Sequence, residues 1–241
     1  MDLGVKDRTF LVMGASRGLG KAVADALRAE GAGVISTSRH PGQDAVLDTA
    51  LESSRRTFLD GIRGRRLDGI FVNTGGPRTG DFAELSDQDW QQAFEQLLLG
   101  PIQIVRELLP SMTDGASLLF NASSSVKVPI PHLTLSNVYR AAIYALVKSL
   151  VDELAPRRIR VNLIVPGRIA TERVAHLDHS NAERLKLSAE AVRARAAAKI
   201  PLGRYGDPDE FGRMAAFVLS PQASYLNGAS FWVDGGQNRS L

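Results

Sequence analysis

Three glycines in the run Gly14-Ala15-Ser16-Arg17-Gly18-Leu19-Gly20 stand where a β-forming stretch, Thr9 to Met13, gives way to an Ala-rich helical pattern. Bare backbone at a strand-to-helix turn admits close approach of a ligand, and free N–H groups together with the helix dipole attract a diphosphate. The spacing, G-x-x-x-G-x-G, departs from the usual dinucleotide fingerprint, so the strand-turn-helix context carries the reading; a purely structural glycine turn is the alternative. A second chemical signal ends the next apolar run. There Thr37-Ser38-Arg39 occupies the place where an NAD site offers a carboxylate to the ribose 2′-hydroxyl. A guanidinium with two neighbouring hydroxyls suits a 2′-phosphate instead, and Arg17 in the turn offers a second positive charge. The expected nucleotide is NADP(H), with NAD(H) the alternative if both arginines face solvent.

These groups need elements to hold them. Short β-rich runs recur at Thr9 to Met13, Val34 to Thr37, Gly69 to Asn73, Ser117 to Asn121, Arg160 to Val165 and Ser230 to Val233. Helical patterns lie between them at Gly20 to Glu30, Asp87 to Leu109, Leu135 to Leu154 and Asp207 to Leu219. Strands separated by helices lie parallel, with the crossovers packed on two faces, which predicts a doubly wound α/β sheet. Asp44 to Asp48 reads as a further strand reached through a loop, bringing the sheet to about seven strands. No repeat or linker divides the chain, so 1–241 is expected to be one domain. Residues 172–199 are charged, helix-prone and flanked by no strand. They read as a mobile cover over the carboxyl ends of the strands, where ligands of open sheets bind, or else as a plain surface excursion.

Composition removes whole classes. The chain has no cysteine, which eliminates disulfides, zinc thiolates and thiol nucleophiles together. A net charge of +3, from 29 Lys and Arg against 26 Asp and Glu, is too small and too dispersed to indicate nucleic acid. Arg63, Arg65 and Arg66 read as a solvated helix end. No apolar run reaches the roughly 18 residues of a membrane helix, and Met1-Asp2-Leu3-Gly4 begins no targeting segment, so a cytoplasmic protein is expected. His176 and His179 have helical ligand spacing but no identifiable third ligand, so no metal is expected.

With the glycine turn, Asn73-Thr74-Gly75-Gly76, Pro166-Gly167-Arg168-Ile169-Ala170-Thr171, and the tail from Ile200-Pro201-Leu202-Gly203-Arg204 to Val233-Asp234-Gly235-Gly236 all in order, the chain resembles the short-chain dehydrogenase/reductase family. The likeness covers nearly the whole chain and is strongest to 3-oxoacyl-[acyl-carrier-protein] reductases. It implies a Rossmann-type domain and hydride transfer between a nicotinamide and a carbonyl or alcohol. Carried over residue by residue, it implies cofactor contacts from Gly14, Ser16, Arg17, Gly18, Leu19 and Gly20 in the turn and from Ser38 and Arg39 after the second strand. Asp48 stands beside the adenine or, alternatively, caps the helix that follows it. Asn73 and Gly75 follow the fourth strand, and Pro166, Gly167, Ile169 and Thr171 lie at the nicotinamide.

The family's catalytic set does not carry over intact. Its tyrosine place holds Ser136, its lysine place Arg140, its asparagine place Leu97; only the serine persists, as Ser123. A serine hydroxyl is too weak an acid to replace a phenol, and arginine hardly titrates, so Arg140 is expected to orient and to contact the nicotinamide ribose. Tyr139 is rotated about 60 degrees from Ser136 and is either a displaced acid or a packing residue. Two classes follow: an oxidoreductase acting on a small-molecule carbonyl or alcohol, and a catalytically silent nucleotide-binding protein acting as sensor or assembly partner. The resemblance further implies a homotetramer, with a dimer as alternative; neither nucleic acid nor membrane is an expected partner.

Overall fold

The computed structural model describes residues 2–240. Seven strands, β1 (Thr9–Val12), β2 (Gly33–Ser38), β3 (Ala45–Val46), β4 (Leu67–Val72), β5 (Met112–Asn121), β6 (Arg160–Pro166) and β7 (Ser230–Val233), form one parallel sheet in the order β3-β2-β1-β4-β5-β6-β7. Successive side chains alternate faces, and both faces are covered, so the strands read as continuous apolar runs. Leu11, Ile70, Leu118 and Leu163 enter one core and Phe10, Phe71, Leu119 and Ile164 the other, all buried. Helices α1 (Gly18–Ala29) and α8 (Pro208–Leu219) cover the second core through Val23, Leu27 and Phe211. Helices α2 (Glu52–Gly61), α4 (Gly100–Leu108) and α5 (Thr134–Leu154) cover the first through Phe58, Ile104, Ile143 and Val147. The strand order reverses between β1 and β4, which opens a crevice at their carboxyl ends.

The connection from β2 to β3 is a loop, as the sequence suggests. Helix α2 carries no readable apolar stripe: its buried face holds Phe58 and Arg55, the latter donating to Thr49 O at 2.7 Å and paired with Glu95 at 3.1 Å. The helix expected over Asp87 to Leu109 is broken into α3 (Asp87–Phe94) and α4 by a π-helical turn, Glu95–Leu99. Pro101 has no N–H to give the Leu97 carbonyl, so the α-helical ladder cannot run through this point. Residues 172–199 form α6 (Glu172–Leu185) and α7 (Ala189–Ala197). Among the described residues no helix is long and apolar enough to cross a membrane.

Candidate active site

At the end of β1 the chain makes a turn that only glycine permits. Gly14 and Gly18 have φ of +66° and +56°, and a Cβ on Gly20 would lie 2.1 Å from the Gly14 carbonyl oxygen. Ala15 N donates to Thr37 O at 2.7 Å, which ties the turn to β2. Helix α1 then begins with no side-chain cap and no acidic residue in its first turn, leaving its N–H groups and dipole uncompensated.

The turn floors a cavity of about 1060 Å³ at the carboxyl edge of the sheet. Its walls carry six arginines, Arg17, Arg39, Arg140, Arg168, Arg173 and Arg239, against one carboxylate, Glu172. A chain whose net charge is only +3 therefore concentrates positive charge in its crevice. Arg39 follows β2 directly, is exposed, and faces the cavity with no carboxylate beside it among the described residues. Ser38 also lines the cavity, although its hydroxyl donates to the His40 carbonyl. Arg17 donates to Glu172 at 2.7 Å in a pair whose side chains are both largely exposed, a contact of little strength.

A chain of hydrogen bonds joins the central strands to α5. Asn73 Nδ2 donates to Met13 O at 3.1 Å, Asn121 Nδ2 donates to Asn73 Oδ1 at 2.8 Å, and Arg140 donates to Asn121 O at 2.7 Å and to Thr74 Oγ1 at 3.2 Å. Arg140 is thus fixed by uncharged oxygens in a buried position. Desolvation first, then repulsion from Arg173, pushes its pKa down to about 10. Ser123 and Ser136 line the same cavity, and Ser123 Oγ caps the following turn by accepting from Ser125 N at 3.2 Å. On the opposite wall lie Pro166, Gly167, Ile169 and Thr171. Thr171 Oγ1 accepts from Val174 N and so starts α6. Arg168 and Tyr205 both donate to the buried Asp178, which fastens α6 to the segment after β6.

Most of the residues singled out from sequence meet here, including Ser16, Leu19 and Gly75. Three do not line the cavity. Gly20 lies behind the turn it permits. Asp48 accepts from Ala50 N at 2.9 Å and so caps its own turn, while its neighbours Leu47 and Thr49 reach the cavity. Tyr139, weighed as a displaced acid, points away: its hydroxyl donates to Trp90 O at 3.1 Å and its ring packs on Trp90 and Phe94, with burial raising its pKa. A phenol held this way is a packing group. Asp234 likewise serves its own turn, accepting from Gly236 N and Asn238 N.

The structure adds three cavity residues that sequence reasoning did not single out. Thr74 holds Arg140. Leu97, which the resemblance aligns with the family's asparagine, is buried at 1% exposure, and its neighbour Gln96 in the π-helical turn lines the cavity instead, where a Cβ on Gly75 would lie 3.1 Å from its Nε2. Arg173 reaches from α6 across the crevice onto Gly76. Only Pro101, two residues after Leu99, hinted at the second of these, and nothing in a charged helix marked the third.

The model of the family described as Enoyl-(Acyl carrier protein) reductase matches residues 61–238. An uncharacterized short-chain type dehydrogenase/reductase, y4vI, of Sinorhizobium fredii is 30% identical over 95% of this chain, which spans 43% of that longer protein. Oxidoreductase UcpA of Salmonella typhimurium is 31% identical, with 95% of this chain and 94% of UcpA covered. The crystal structure of L-sorbose reductase from Gluconobacter frateurii, complexed with NADPH and L-sorbose, superposes with a TM-score of 0.93 at 25% identity over the whole of both chains.

Proposed function

Because the chain belongs to the short-chain dehydrogenase/reductase family, we propose that it is an NADP(H)-dependent oxidoreductase acting on a small carbonyl or alcohol, of 3-oxoacyl type or similar, with a non-standard catalytic set. The observation that carries the reading is the crevice itself: a glycine turn on an uncapped helix N-terminus, in a cavity of six arginines and one carboxylate. An NAD-selective site would place an acid after β2; here Arg39 stands there. The structural relative with bound NADPH supports the same choice.

The bound nicotinamide supplies or accepts the hydride. The chain's own residues do the rest. Arg140, locked on Asn121 and Thr74, holds the nicotinamide ribose and polarises its surroundings. Ser123 and Ser136 hold the reacting oxygen of the substrate. Since Tyr139 is engaged elsewhere, the proton reaches that oxygen from solvent through these hydroxyls. Residues 172–199 act as the substrate lid of the single domain, with the α6 end of the lid forming one wall. Asp48 supports the adenine side through its turn.

Assembly is part of the proposal. Phe82, in the turn before α3, is 73% exposed and packs edge-on to Trp90, and Val138 on α5 is 46% exposed, so this turn and α5 present apolar surface suited to another copy in a homotetramer.

A second reading, a silent nucleotide-binding protein, is favoured by one specific observation: among the described residues no phenol or lysine lines the cavity. Transfer of deuterium from NADPH labelled at the nicotinamide C4 to a panel of carbonyl compounds separates the two. Stereospecific label in any product establishes the enzyme; tight NADPH binding with no transfer across the panel establishes the silent protein.

A further inference from the structure

Arg173 is in an uncommon position. The residue as a whole lies exposed on α6, yet its guanidinium reaches down to bare backbone: a Cβ on Gly76 would sit 1.8 Å from Nη2 and 2.1 Å from Cζ. The absence of a side chain at Gly76 is what makes room for it. Each neighbouring arginine on this part of the wall has a settled partner except one. Arg17 pairs with Glu172, Arg168 with Asp178, and Arg140 with two oxygens. Arg39 and Arg173 have neither a carboxylate nor a hydrogen-bond partner among the described residues. Partial desolvation and the nearby Arg39 lower the pKa of Arg173, and Arg173 in turn lowers that of Arg140. Arg39, Arg140 and Arg173 thus line one cavity with no carboxylate paired to any of them among the described residues, an arrangement that an anion would relieve.

Position says which anion. Arg173 lines the same cavity as Arg39, at the end of β2, and Arg140, on α5. The start of α6 also faces the glycine turn directly: a Cβ on Gly18 would meet Thr171 Cγ2 at 3.5 Å, two residues before Arg173. A diphosphate held by the turn would be beside this helix start, and Arg39, at the end of β2, would be left for a 2′-phosphate.

We infer that Arg173 is a ligand for the nucleotide's diphosphate, reaching over the cleft from the lid and adding a side-chain charge to the backbone N–H groups of the glycine turn. The inference rests on the nucleotide-binding reading above and adds a residue and a division of labour to it: Arg39 reads the 2′-phosphate, and Arg173 reads the group common to both pyridine nucleotides.

Calorimetric titration of NADPH, NADH and ADP-ribose into the wild type, Arg173→Met and Arg39→Asp tests this. Arg173→Met is expected to weaken all three by about tenfold, the scale of one charge-assisted hydrogen bond, whereas Arg39→Asp weakens NADPH alone. Arg173→Gln carries the same expectation and serves if the Met variant does not fold. Wild-type affinity for all three in a folded Arg173 variant overturns the inference and leaves the nucleotide reading standing, as does a loss confined to NADPH. A wild type that binds none of the three overturns both.

Discussion

A tyrosine one turn from the place of a proton donor serves no such purpose when its hydroxyl is already bonded to backbone. Tyr139 donates to Trp90 O and packs edge-on to Trp90 and tilted against Phe94, outside the cavity. Replacing it with phenylalanine is expected to leave kcat/KM for any substrate found within twofold, and to lower stability by about 1 kcal/mol for the lost hydrogen bond. A tenfold loss of rate in the folded variant would restore it as an acid. At this scale the sequence was legible where chemistry constrains residue type. Glycines at a strand-to-helix turn and an arginine after β2 announce themselves because no other residue does their work. Tyr139 could not be resolved without the packing, since helical geometry fixes its angle from Ser136 but not which neighbour takes its hydroxyl. Arg173 was illegible for a different reason: a single arginine among many in a charged helix looks solvated until the bare backbone of Gly76 is found beneath it.

The elements show where periodicity stops being informative. Strands buried on both faces and helices with apolar stripes were readable, but α2 was not, because its inner face holds Arg55 as well as Phe58. In the π-helical break between α3 and α4 the cavity is lined by Gln96, whereas the alignment on the family's asparagine points to its neighbour Leu97. This turn is held against the β3–α2 segment by a close approach: a Cβ on Gly100 would lie 2.1 Å from Thr49 O and 2.8 Å from Glu95 O. Gly100→Ala is therefore expected to destabilise the protein by about 1–3 kcal/mol through overpacking against backbone that cannot move aside. The fall in thermal midpoint should be about 2–4 °C per kcal/mol, and an unchanged midpoint would contradict the contact.

For the whole molecule, the near-balance of charge in the sequence conceals its distribution. The fold gathers arginines from the glycine turn, the end of β2, α5, α6 and the C-terminal tail around one crevice, and such concentration cannot be read from a total of +3. That field, not the catalytic residues, is the feature the proposed function rests upon most heavily. It also explains why the crevice is expected to prefer the nucleotide with the additional phosphate, and why that preference should shrink as salt screens exposed Arg39. The direct test is calorimetric titration of NADPH and NADH into the wild-type protein at low and moderate salt. NADPH binding at least about tenfold tighter than NADH, with the gap narrowing in salt, is the expected result. Equal affinity for the two, or no binding of either at millimolar concentration, would contradict the account.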